Sequence, residues 1–188
     1  MGYYNRSKTI MPIAKFIPVA VLIGIFAAFS ILLTGWLKVP VWPIFISWGL
    51  YFIAGARPSR LPKEVIGLTG GILLGYLTIL AAPYYSQVFG ATFGLPLTVF
   101  TAAFFIVLLE LTDWFELAPA YFFSYAAYFA YVFGSFGGTN ATPAGALIPF
   151  WLLIMAGLAF GYASSYLRKK LLEKEGIYGT AQETVFDK

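Results

Sequence analysis

The chain has 188 residues, of which 60% are hydrophobic and only 11% charged, and it carries a formal net charge of +4. A soluble domain holds about a quarter charged residues, so the solvent of this chain is lipid rather than water. It contains no cysteine and no histidine, which excludes disulfides, thiol nucleophiles and iron–sulfur sites, and removes the commonest metal ligand and general base.

A bilayer core of about 30 Å takes about 20 apolar residues per helix. Six stretches meet that measure, over residues 13–37, 39–56, 65–82, 95–112, 117–133 and 143–167. They predict an all-α, polytopic membrane protein: an N-terminal segment 1–12, a six-helix membrane domain 13–167 and a C-terminal tail 168–188. The first stretch is long for a cleavable signal and lacks a clear small-x-small site behind its apolar core, so it reads as a retained helix. Pro40 and Pro43 break the chain after Lys38. "RPSRLPKE" at 57–64, "PYYSQVFGATFG" at 83–94, "ELTDWFELAP" at 110–119 and "GSFGGTNATP" at 134–143 supply the other joints.

With the N-terminus inside, segments 1–12, 57–64, 110–116 and 168–188 face the cytoplasm. Counting Lys15 at the inner edge of the first span, only Lys38 of the twelve Lys and Arg residues falls outside. The positive-inside rule then predicts a cell-membrane protein with both termini cytoplasmic. The basic character is topology and not a nucleic-acid footprint, and the partner it implies is the bilayer. "RKK" at 168–170 reads as an anchor on anionic headgroups.

A repeated phrase organises the spans. "SWGLYF" at 47–52 in span two matches "SYAAYF" at 124–129 in span five. "GILLGY" at 71–76 in span three matches "GLAFGY" at 157–162 in span six, and "WLK" at 36–38 answers "WFE" at 114–116. Two copies of a three-helix unit, about 13–90 and 91–167, would face opposite ways because each crosses the membrane an odd number of times. That arrangement is an inverted repeat.

Gly67, Gly71 and Gly75 lie on one face of span three, and Gly157, Gly161 and Ser165 on one face of span six. Small residues at this spacing let helix backbones approach closely, so these are helix-packing candidates. Ser47, Trp48 and Tyr51 on span two, and Ser124, Tyr125 and Tyr128 on span five, place hydroxyls and rings where an unpaired polar group is costly. They read either as packed interface residues with satisfied hydroxyls or as the lining of a narrow substrate pathway between helices two and five. Glu110 and Asp113, with Glu116 a turn further on, lie near an interface, and Glu110 and Asp113 are candidates for a cytoplasmic vestibule. No carboxylate or lysine is placed at the centre of a span, which favours an uncharged solute over a pump built on a buried charge.

Catalytic residues are not expected. "GSFGG" at 134–138 has the outline of a nucleophile turn but no base beside it, and its glycines suit an external loop. Metal ligands and cofactors are not expected either. Asn140 begins a glycosylation sequon on the outer side, weakened by Pro143 and the nearby membrane.

"PIFISWGLYFIAGA" in span two together with "FGYA" at 160–163 resembles the small multi-pass proteins grouped as domain-of-unknown-function family 1097. The likeness extends over about residues 20 to 165. It implies a prokaryotic cytoplasmic-membrane protein and carries over no catalytic or binding residue.

The leading functional expectation is a channel or facilitator for a small neutral solute. The alternatives are a structural or accessory subunit of a larger membrane assembly, and an ion-coupled transporter using Glu110 and Asp113. A homo-oligomer or a membrane complex is the expected assembly. Topology is testable on this cysteine-free background. A single cysteine at Ser59 should resist an impermeant thiol reagent in intact cells and label only after permeabilisation; labelling in intact cells would reverse the orientation.

Overall fold

The computed structural model describes residues 13–138 and 142–174. They form α1 (Ile13–Leu37), α2 (Trp42–Ile53), a short 3-10 turn (Pro58–Arg60), α3 (Leu61–Phe89), α4 (Ala91–Leu109), α5 (Ala118–Phe133) and α6 (Pro143–Lys174). The chain is all-helical over the described residues. By length and composition α1, α3 with its 3-10 turn, α4 and α6 can each cross a membrane. At 12 and 16 residues, α2 and α5 are only about 18 and 24 Å long.

Local chemistry explains the shortness of α2 and α5. Pro43 and Pro119 stand in their first turns, where a missing N–H removes no helical hydrogen bond. Left-handed backbone closes the far ends: Gly55 (φ 96) and Ala56 (φ 52) after α2, Ser135 (φ 56) after α5.

One expected joint is corrected and two helix boundaries move. Residues 83–94 form no loop: α3 runs on to Phe89, Gly90 turns alone at φ 83, and α4 starts at Ala91. Pro83 and Pro96 are absorbed into helices, since in lipid a helix keeps its remaining backbone bonds internal. A Cβ on Gly94 would lie 2.5 Å from the Ser86 backbone, so the two helices meet too closely to need a longer turn. Residues 57–64 are the 3-10 turn and the first turn of α3, and 168–174 continue α6. Residues 1–12, 175–188 and Asn140 lie outside the described residues.

The core is built from two closely packed pairs, α2 on α6 and α3 on α5, joined where α3 meets α6. The glycine faces make both pairs close. A Cβ on Gly71 would strike Ser124 Oγ and the Tyr121 carbonyl, and one on Gly157 would strike Ser47 Oγ and the Ile44 carbonyl. A Cβ on Gly67 would sit 2.6 Å from Ala120 Cβ, one on Gly75 3.0 Å from Tyr128, and one on Gly161 2.7 Å from Tyr51 Cβ. Helix α4 packs on α3, and α1 attaches mainly to α6. The outer faces of α1 and α4 carry large exposed apolar side chains such as Ile25, Leu32, Phe100 and Phe104, as lipid-facing helices do.

Gly71→Ala and Gly157→Ala should each destabilise the fold by about 1–3 kcal/mol, because the added methyl has nowhere to go. Gly24, Gly35 and Gly49 have nothing within 4 Å of a built Cβ. Alanine at those three should be neutral or stabilise by up to about 1 kcal/mol. Thermal unfolding in detergent checks the contrast, and equal melting temperatures across both sets would contradict it.

Candidate functional site

Ser47 and Ser124 are fully buried. Ser47 Oγ donates to the Pro43 carbonyl at 3.2 Å, and Ser124 Oγ to the Ala120 carbonyl at 2.9 Å. Each hydroxyl is therefore satisfied by its own helix while the side chain sits on a glycine of the facing helix. Thr78 and Thr98 use the same device, donating to the Leu74 and Gly94 carbonyls, each at 2.8 Å.

The aromatic residues reach across helices instead. Trp48 Nε1 donates to Ser164 Oγ on α6 at 2.9 Å, and Tyr125 donates to Thr78 Oγ1 on α3 at 3.0 Å. The Tyr128 hydroxyl donates to the Pro143 carbonyl at the start of α6. Tyr51 is fully buried and shares the wall of one cavity with Ser165 on α6. Tyr51 sits on Gly161 of α6, while Tyr128 sits on Gly75 of α3 and reaches the first residue of α6 with its hydroxyl.

Their surroundings differ. Near Tyr128 the rings interlock: Phe150 lies 5.7 Å from Tyr128, 5.1 Å from Tyr131 and 6.1 Å from Trp42 between ring centroids. Near Tyr51 the bundle opens into a cavity of about 530 Å³ between α2 and α6, lined among others by Tyr51, Phe52, Tyr162, Ser165 and Arg168. Cations stand on its wall: Arg168 lies over the Phe16 ring at 5.9 Å with its Nε buried and without a hydrogen-bond partner, Lys170 lies over Tyr166 at 4.5 Å, and Lys169 faces Glu173 at 4.0 Å.

Glu110, Asp113 and Glu116 are exposed. Asp113 and Glu116 each hold Lys63 Nζ at 2.8 Å, tying the α4–α5 connection to the first turn of α3. Glu110 caps the end of α4. Among the described residues no group of three or more acidic side chains is placed to hold a metal ion.

One residue escaped the sequence reading. Glu64, expected within a charged joint, is fully buried, and neither of its carboxylate oxygens has a hydrogen-bond partner. Its position carried the signal: it stands three residues before Gly67, on the face that continues through Gly71 and Gly75. Tyr121 Oη, Trp42 Nε1 and Arg168 Nε are also buried without partners.

An all-helical bundle with long apolar helices, small-residue contacts and internally satisfied hydroxyls is a membrane protein. The chain belongs to the family described as "Protein of unknown function (DUF1097)", whose defining pattern matches residues 20–169. No curated protein and no solved structure matches it.

The Trp48–Ser164 bond predicts a measurable cost. Ser164→Ala leaves a buried indole N–H unpaired and should destabilise by about 1–3 kcal/mol, whereas adding Trp48→Phe should recover part of that loss. A double-mutant cycle on thermal stability checks it, and additive effects would show that the bond contributes nothing.

Proposed function

We propose that this chain is a facilitator for a small neutral solute in the cell membrane, built as two inverted three-helix repeats with both termini cytoplasmic. The cavity that ends on Tyr51 is the observation that carries the reading. A concave site with a few convergent hydroxyls and aromatic walls suits a small polar ligand, and Tyr51, Tyr162, Ser165 and Tyr166 bring hydroxyl-bearing side chains to its wall beside Arg57, Arg168, Lys169 and Lys170.

The repeat supports it. α2 with α6, and α5 with α3, are equivalent pairs under the internal match, and Ser47 on Gly157 repeats Ser124 on Gly71. The two short helices fall at corresponding positions in the halves, where discontinuous helices of inverted-repeat transporters hold their sites. The arrangement is open at the Tyr51 end and sealed at the Tyr128 end by Phe150, Tyr131 and Trp42. A solute then enters from the cytoplasm, and passage requires the ring seal to part.

A structural or accessory subunit is the second reading, favoured by the exposed apolar faces of α1 and α4, which also suit a homo-oligomer. Flux separates the two. Purified chain in lipid vesicles should speed glycerol or urea entry, followed by light scattering, over empty vesicles. Tyr51→Phe should slow it by up to about tenfold, the equivalent of one neutral hydrogen bond, and Tyr51→Ala should relax size selection. Flux equal to empty vesicles for a folded protein would leave the accessory reading.

A further inference from the structure

Glu64 sits where the bundle has least reason to bury a charge. Its side chain is fully buried and both oxygens are orphaned. An ionised carboxylate without donors in an apolar site is so costly that such groups hold a proton instead. The internal match sharpens the point. The offset that takes Gly71 to Gly157 and Gly75 to Gly161 takes Glu64 to Phe150, a fully buried ring that packs against Tyr128. The position can be filled by a phenyl group, so packing does not require the carboxyl.

The surrounding helices bring few charges to it. Arg60 in the 3-10 turn is the cation whose charge acts on Glu64; it is exposed and its guanidinium donates to the Ala54 carbonyl at 3.4 Å. Lys63, the neighbour on α3, is held by Asp113 and Glu116. α5 contributes Tyr121, whose hydroxyl is neutral and unpartnered. α6 contributes Tyr162, which acts on Tyr51, and Arg168, which lies over Phe16. From α2 comes Tyr51, fully buried and on the wall of the cavity.

We propose that Glu64 is a proton-binding site, loaded in the arrangement described here and exchanging with the cytoplasm at the end of the bundle where α3 begins. Release breaks the carboxyl O–H bond, leaves the electron pair on the carboxylate and passes the proton to water, with no other reactant. A hard metal cation takes six or more oxygen ligands, and no acidic cluster is gathered among the described residues, so the proton is the occupant. An emptied Glu64 is a buried anion, which favours opening of that end. This last consequence rests on the facilitator reading; the proton site does not.

The test is labelling of the full chain in lipid vesicles with dicyclohexylcarbodiimide, which reacts with protonated carboxyls in apolar surroundings, followed by peptide mass mapping. Glu64 should be modified at neutral pH, while the exposed Glu110 and Asp113 are not. The yield should fall about tenfold per pH unit above the group's own pKa. Glu64→Gln, a neutral isostere of the loaded state, should abolish labelling, keep the melting temperature at or above that of the natural chain, and remove the pH dependence of glycerol flux. Glu64 unmodified at every pH, or a Glu64→Gln chain that fails to fold, would overturn the proposal. Protection by sodium at fixed pH would also overturn it, by making the occupant a metal cation. Labelled Glu64 without any flux would keep the proton site and remove the facilitator.

Discussion

Close backbone approach at small residues is the constraint on which this bundle depends. Lipid is as apolar as leucine, so burying apolar side chains gives helices little reason to associate in a membrane. What remains is van der Waals contact at short range, and that needs side chains to be absent. Gly67, Gly71 and Gly75 provide the absence on α3, Gly157 and Gly161 on α6. The facing helices fill it with Ala120, Ser124 and Tyr128, and with Ser47 and Tyr51. Each pair of helices is a ridge set into a groove made of missing methyl groups. The large rings then cover the seam from above and below.

Depth imposes a second requirement, and the molecule meets it in two ways. Short hydroxyls bond to carbonyls of their own helix, as Ser47, Thr78, Thr98 and Ser124 do. Longer side chains reach a neighbour, as Trp48 reaches Ser164 and Tyr125 reaches Thr78. The first device asks nothing of the tertiary structure; the second fixes which helices are partners and at what height. Against so consistent a background, the orphaned carboxyl of Glu64 stands out as the costliest group in the core.

Much of this was readable from residue spacing. Glycines every fourth residue marked packing faces on α3 and α6, whereas the serine–tyrosine phrase was read as a face between α2 and α5 and instead meets those glycines. Composition gave the membrane and the all-helical class. The sequence read less well where polarity and helix disagree. "PYYSQVFGATFG" is polar and glycine-bearing, yet Ser86 faces Gly94 across a one-residue turn and both flanks stay helical. Lys63 and Glu64 are adjacent and charged, but a helix turns them about 100° apart. Lys63 goes to the surface acids and Glu64 to the core. Only its register with Gly67 distinguishes Glu64 from a solvated neighbour. The route between α2 and α5 suggested by the phrase has no direct signature in spacing, because a face of serines and rings looks the same whether it lines water or meets glycine.

The pairing of α2 with α6 has a consequence for how the protein is made. Trp48 and Ser164 are 116 positions apart, and the groove for Ser47 lies on α6, which is made after the other described helices. α2 is too short to span a bilayer by itself; Phe26 of α1 meets its Trp48 at 6.2 Å between ring centroids, but the glycine that receives Ser47 is on α6, whereas α3 and α4 are neighbours in sequence and can dock as soon as both have emerged. The nascent chain must therefore hold α2 in an unsettled position, at the interface or against the insertion machinery, until α6 arrives. The seat of α2 is then complete only once α6 is in place, and a product truncated before α6 carries an unmatched serine–tryptophan face.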